Sequence, residues 1–203
     1  MYNKYMRTDY LNPQLYNRLY SVMTYSNVLA LRVALETGLR IDGVLSLKPE
    51  NLRKRTLTGI AKKTGKKFSK AISQDLSNRL KQVCGKNYIF PHRTNPEKHR
   101  TRQAVWSNMK KASKLLNIDL NVAPHSARKT YAVKVFEDKG LDATQRELQH
   151  DRISTTMIYA FSKMLSAPQQ QQSLNTSDID ALADVIAEKV VEKLKRYEKT
   201  KST

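Results

Sequence analysis

The chain has 203 residues, enough for one substantial core plus an appendage, and its 37 Lys+Arg against 18 Asp+Glu leave a net charge of +19. That excess goes beyond what solubility requires and points to a polyanion, with nucleic acid ahead of an anionic membrane surface. No apolar run approaches the roughly 20 residues of a membrane span, the polar N-terminus carries no signal-peptide core, and one cysteine, Cys84, excludes an internal disulfide or a Cys-cluster zinc site.

In chain order, the first helical pattern starts at Ser26, with Val28, Leu31, Leu35 and Leu39 on one stripe and Gly38 where the helix can end. Arg40 is thus expected at or just past a helix terminus. The stretch from Asn51 to Ser73 has no helical stripe and reads as two strands, Thr56 to Ala61 and Lys67 to Ile72, around a turn containing Thr64-Gly65. This hairpin is basic: between Lys48 and Lys70 there are nine Lys or Arg and one acid, Glu50. Ser73 or Asp75 can cap a helix through Leu76, Leu80 and Val83. Asn87 to Phe90 is a short apolar element closed by Pro91, and Arg93 to Arg102 reads as a loop containing His99. A basic amphipathic helix follows, with Val105, Met109, Ala112 and Leu116 inward and Lys110, Lys111 and Lys114 outward.

Ser126 to Lys139 reads as a helix ended by Gly140, with Arg128 in its first turn. Asp142 and Gln145 form a capping-box pattern for a short helix ending near His150, and Ser154 can cap a helix carrying Tyr159. Residues 166–176, containing Pro168 and Gln169 to Gln172, read as a Gln-rich linker. A charge-balanced helix, residues 177–203, then carries Ile179, Leu182, Ile186, Val190 and Leu194 on one face. The fold class expected is α+β, mainly α, with a small antiparallel sheet. Residues 1–165 form the main domain.

Three segments bear chemistry: Thr37-Gly38-Leu39-Arg40, Pro124-His125-Ser126-Ala127-Arg128, and Leu148-Gln149-His150 followed by Tyr159. Together they resemble the tyrosine recombinase (phage integrase) family, specifically its catalytic domain, over residues from about 26 to 165. The resemblance implies a site-specific DNA recombinase that cuts and rejoins a phosphodiester through a 3′-phosphotyrosyl bond, with no cofactor and no metal. Such chemistry needs a nucleophile, positive charge for the transition state and a proton donor for the leaving 5′ oxygen. By resemblance Tyr159 is the nucleophile. Arg40 and Arg128 match the two arginines whose planar forks hold nonbridging oxygens as a lysine cannot. His125 is expected to handle protons at the tyrosine hydroxyl, and His150 to hydrogen-bond the phosphate. The general acid is expected at the hairpin turn: Lys63 is the choice, with Lys62 and Lys66 as rivals because a one-residue register shift changes the face.

Lys62, Lys66, Lys67, Arg53, Lys110, Lys111 and Lys129 are the candidate DNA-binding residues. The partners implied are double-stranded DNA at specific sites and further copies of the chain, as a dimer or tetramer on DNA, with no membrane partner. The location implied is cytoplasmic, on the nucleoid, or in a host cell if the gene is phage-borne. The chain departs from the family pattern in three places. Gly43 stands where many members have an acid, with Asp42 one place earlier; Gln149 replaces the usual glycine before the second histidine; and Ala127 replaces leucine. About 25 residues precede the catalytic pattern, too few for the family's separate DNA-clamping domain, so a minimal member or a fragment is expected. The last helix can dock on a neighbouring protomer, form a coiled coil, or fold back on its own domain. Rival functions are a catalytically inactive DNA-binding regulator, a topoisomerase or telomere resolvase with the same bond chemistry, and a generic basic protein on RNA or membrane.

Overall fold

A computed structural model describes residues 8–61 and 64–149. Six helices are seen there: α1 (Pro13–Val22), α2 (Tyr25–Thr37), α3 (Ile41–Leu45), α4 (Gln74–Val83), α5 (Arg102–Leu115) and α6 (Pro124–Leu148). A short 3-10 turn, Pro49–Asn51, leads into three strands, β1 (Leu52–Arg53), β2 (Thr56–Ile60) and β3 (Lys67–Ala71). The sheet is antiparallel in the order β1-β2-β3, and the β2–β3 register pairs Leu57 with Lys70 and Gly59 with Phe68. Because side chains alternate faces along a strand, Leu57, Phe68 and Lys70 share the face turned toward the helices; Leu57 is fully buried there.

Helix α2 is the centre of the core. Leu29, Ala30, Leu31, Val33 and Ala34 are all buried, and the helix packs against α3, α4, α6 and β3. Of the expected stripe, Leu31 and Leu39 are buried and Val28 and Leu35 half-buried; a helix covered on several sides hides more than one stripe. Its end is as the sequence suggests. Gly38 takes the left-handed conformation (φ 69°, ψ 6°), and its N–H bonds back to the Ala34 carbonyl.

Helix α1 was not anticipated. Asn12 caps it by accepting from the Leu15 N–H at 2.9 Å, Pro13 starts it, and Tyr16 and Leu19 are its buried face. Strand β1 and helix α3 were also missed, both being too short to carry a period. Ile89 and Phe90 are fully buried as expected of an apolar element, but the local structure is irregular, with one bridge pairing Pro91 and His99. Ser73 caps α4 through the Leu76 N–H, and the Glu36 carboxylate accepts from the Ser73 N–H and hydroxyl, which ties the cap to α2. Cys84 is half-buried beside the core rather than within it. The span of α6 is two helical segments meeting at a kink at Gly140, whose non-helical backbone (φ 77°, ψ −176°) is the break read from the sequence. No helix among the described residues is long and apolar enough to cross a membrane.

Candidate active site

A cavity of about 800 Å³ opens among the α2–α3 corner, the tip of β2–β3, the first turn of α5 and both ends of α6. Arg40, His125 and Arg128 line it, together with Lys70, Arg102, Trp106, Glu147 and Gln149. Residues far apart in the sequence thus meet on one concave surface.

Arg40 is the N-cap residue of α3 and is half-buried. Its guanidinium has no hydrogen bond or ion pair to another described residue. The neighbouring acid, Asp42, pairs instead with Arg102 across the cavity mouth at 3.8 Å. Arg128 is treated differently. It is 4% exposed, and two of its N–H groups donate to main-chain carbonyls, Nη1 to Gly38 at 2.5 Å and Nη2 to Leu148 at 2.7 Å. The end of α2 and the end of α6 therefore fix the plane of the fork, an orienting role that backbone oxygens fill without any acid at position 43.

His125 follows Pro124 at the start of α6. The residue is exposed at the cavity wall. Loss of hydration, then the charges of Arg128, Lys129 and Arg40, push its pKa from the ordinary value down to about 4. At neutral pH the imidazole is uncharged, with one ring nitrogen able to take a proton.

The hairpin enters the cavity through Ile60, Ala61, Phe68 and Lys70. Its turn is closed by the Ala61 N–H donating to the Lys66 carbonyl at 2.9 Å. Lys70, with its side chain 14% exposed, ion-pairs with Glu147 and also donates to the Glu147 carbonyl at 3.0 Å. Lys70 holds the Glu147 carboxyl below its usual pKa. Neither residue is among the sequence candidates: one lysine among many and a helix glutamate carry no spacing signal.

Of the candidate DNA-contacting residues, Arg53, Lys66, Lys67 and Lys111 are exposed. Lys110 is half-buried, donates to Asn121 Oδ1 at 2.8 Å and lies 5.8 Å from the Trp106 ring centroid. Lys129 is a correction. It is 6% exposed, and its ammonium donates to the Thr8 carbonyl, so it faces inward rather than toward a nucleic-acid surface. The cause is the segment before α1, which lies along α6: Thr130 donates to the Leu11 carbonyl, and Asp9 and Asn121 exchange hydrogen bonds at 3.1 and 2.7 Å. Lys62, Lys63, His150 and Tyr159, the linker 166–176 and the helix 177–203 lie outside the described residues. Among the described residues, no group of three or more His, Cys, Asp or Glu is arranged to hold a metal ion.

With this geometry in hand, comparison with known proteins gives consistent likenesses. Residues 9–165 match the profile of the phage integrase family. The tyrosine recombinase XerD of Lacticaseibacillus casei is 27% identical over 165 residues, covering 61% of this chain and 56% of that protein. The chain spans about half the length of the curated relatives it matches most broadly. Among solved structures, a lambda integrase dimer bound to a COC′ core site superposes with a TM-score of 0.67 at 18% identity, covering 84% of this chain and 52% of that one. The catalytic domain of bacteriophage HP1 integrase gives a TM-score of 0.59 at 21% identity, covering 77% of this chain and 89% of that one. At these identities the likeness is one of fold.

Proposed function

Because this chain belongs to the phage integrase family and has the fold of its catalytic domains, we propose that it is a site-specific DNA recombinase that cleaves and rejoins DNA through a 3′-phosphotyrosyl intermediate. The observation that carries this reading is the meeting of Arg40, Arg128 and His125 in one cavity. Two guanidinium groups and an uncharged imidazole suit a phosphodiester whose charge grows in the transition state.

In this reading the Tyr159 hydroxyl oxygen attacks the phosphorus of the scissile phosphodiester. The bond to the 5′ oxygen breaks, and the DNA 3′ phosphate becomes an ester of tyrosine. The bond energy is conserved, so rejoining needs no ATP. Arg40 supplies an uncommitted cation at the cavity wall, and Arg128 supplies a fork whose plane is preset by two carbonyls. His125, uncharged at neutral pH, takes the proton of the tyrosine hydroxyl. His150 hydrogen-bonds the phosphate, and Lys63, or Lys62 or Lys66 in its place, protonates the leaving 5′ oxygen.

Arg53, Lys66, Lys67 and Lys111 draw the DNA backbone by charge. The partners are duplex DNA at defined sites and other copies of the chain, as a dimer or tetramer, in the cytoplasm or on the nucleoid. The helix of residues 177–203 joins neighbouring protomers after the linker 166–176, and residues 1–165 carry the cleavage chemistry. Duplexes nicked near the scissile phosphate test the reading, since they trap the intermediate. The wild-type chain is expected to form a denaturation-resistant adduct, and Tyr159→Phe to bind DNA without forming one. A wild-type-like adduct from Tyr159→Phe removes the nucleophile assignment.

A further inference from the structure

The end of α6 and the β2–β3 turn are joined by polar contacts that the chemistry above leaves unused. Gln149, one residue before His150 in sequence, adopts the left-handed conformation (φ 52°, ψ 43°), which glycine enters freely and other residues enter at a cost. Its Oε1 accepts from the Thr64 hydroxyl at 3.2 Å, and its Nε2 donates to the Lys67 carbonyl at 3.1 Å. One side chain therefore grips the turn at two points. Two residues earlier on α6, Glu147 binds the Lys70 ammonium and accepts from the Tyr131 hydroxyl at 3.0 Å. Tyr131 in turn lies against Gly38, where an added Cβ would sit 2.4 Å from its ring. The chain of contacts runs from the hairpin through α6 to the corner that bears Arg40.

We propose that Gln149 and the Lys70–Glu147 pair are positioning residues that hold the β2–β3 turn at a fixed distance and register from the end of α6. The inference rests on the strand-transfer reading, in which the proton donor of the leaving group stems from this turn. A two-stranded hairpin tip has little stability of its own, and a proton donor must lie within hydrogen-bond reach of the oxygen it serves. Displacements of about 1 Å are enough to cost on the order of 100-fold in rate. Lys70 itself, tied to Glu147 through carboxylate and carbonyl, acts by holding the strand.

The test compares single-turnover cleavage of two nicked duplexes, one with the normal 5′-bridging oxygen and one with a 5′-bridging sulfur, a leaving group that needs no proton donor. Gln149→Gly relieves the backbone while removing the grip. It is expected to keep its melting temperature and DNA affinity, to cleave the oxygen substrate roughly 10- to 100-fold more slowly, and to recover on the sulfur substrate to near the wild-type rate. Thr64→Val breaks the same hydrogen bond from the hairpin side, and Lys70→Met with Glu147→Leu replaces the ion pair by apolar contact; both are expected to show the same oxygen-selective defect. Equal slowing on both substrates, or a wild-type rate for Gln149→Gly and Thr64→Val on oxygen, overturns the positioning role. A wild-type chain that forms no covalent complex with either duplex sinks the strand-transfer reading itself, and this proposal with it.

Discussion

The arginine wall of the cavity and its hairpin wall are built from unlike materials. Arg40 and Arg128 spring from the α2–α3 corner and the first turn of α6, elements whose neighbours Leu29, Val33, Val44 and Ala127 are fully buried. Arg128 is fixed further by two backbone carbonyls. The hairpin tip instead carries an exposed Ile60 and meets the end of α6 through Gln149 and Lys70, side chain by side chain. One wall is set by the core itself and the other is adjustable, so perturbations of the two should separate into global and local effects.

The largest expected effect is on cleavage from the arginine wall. Arg40→Ala and Arg128→Ala should each lose about 3 kcal/mol or more of transition-state stabilisation, a rate loss on the order of 100-fold or greater. Their stabilities should differ. Arg40→Ala leaves no described partner unsatisfied and should change folding stability by less than about 0.5 kcal/mol, whereas Arg128→Ala strips donors from the Gly38 and Leu148 carbonyls and should cost about 1–3 kcal/mol. Urea unfolding beside single-turnover cleavage reads both, and equal stability losses would contradict the contrast.

Next comes Gly38→Ala. The position combines a positive φ with the Tyr131 ring 2.4 Å from any Cβ, so backbone strain and overpacking add to about 2–4 kcal/mol. Chemical denaturation checks it; a loss below about 1 kcal/mol would mean that the corner yields as readily as the hairpin.

These effects also show what the sequence could reveal. The Gly38 cap, the hairpin, the Ser73 cap and the Gly140 break were legible because each depends on local backbone chemistry. The inward turn of Lys129 was not, because it follows from where the segment of residues 8–12 lies, and no helix period encodes a neighbour. Asn12-Pro13 was a readable helix start that the polar N-terminus obscured. Gln149 stood out only as a departure from a pattern. Its left-handed backbone explains why glycine suits that place, but its grip on Thr64 and Lys67 depends on a fold-level contact. The Lys70–Glu147 pair joins two unremarkable charges distant in sequence.

A smaller effect is expected from His125. Its folded pKa of about 4 lies below the ordinary 6.5, so between these values the unfolded chain binds more protons than the folded one. Stability attributable to this ring is complete above about pH 6.5 and is lost as pH falls toward 4. Because the residue is exposed, the difference should be on the order of 1 kcal/mol rather than the full linkage value. His125→Gln should flatten the decline in unfolding free energy between pH 7 and pH 4.5; an unchanged decline would place the ring outside the influence of the three cations.

Smallest are the surface cations. Lys66→Ala and Lys111→Ala should each lower the magnitude of the slope of log affinity against log salt by about 0.9 if the residue meets a phosphate. Lys129→Met should leave that slope unchanged and show its effect in stability, since its ammonium is spent on the Thr8 carbonyl. A slope change from Lys129→Met would return that residue to the DNA surface.

Tyrosine-mediated strand transfer in this cavity is read out by mass-spectrometric mapping of the trapped protein–DNA adduct. After proteolysis and nuclease digestion, a single nucleotide-bearing peptide is expected, modified at Tyr159 and linked through the DNA 3′ phosphate. Attachment at another residue, or through a 5′ phosphate, would contradict it.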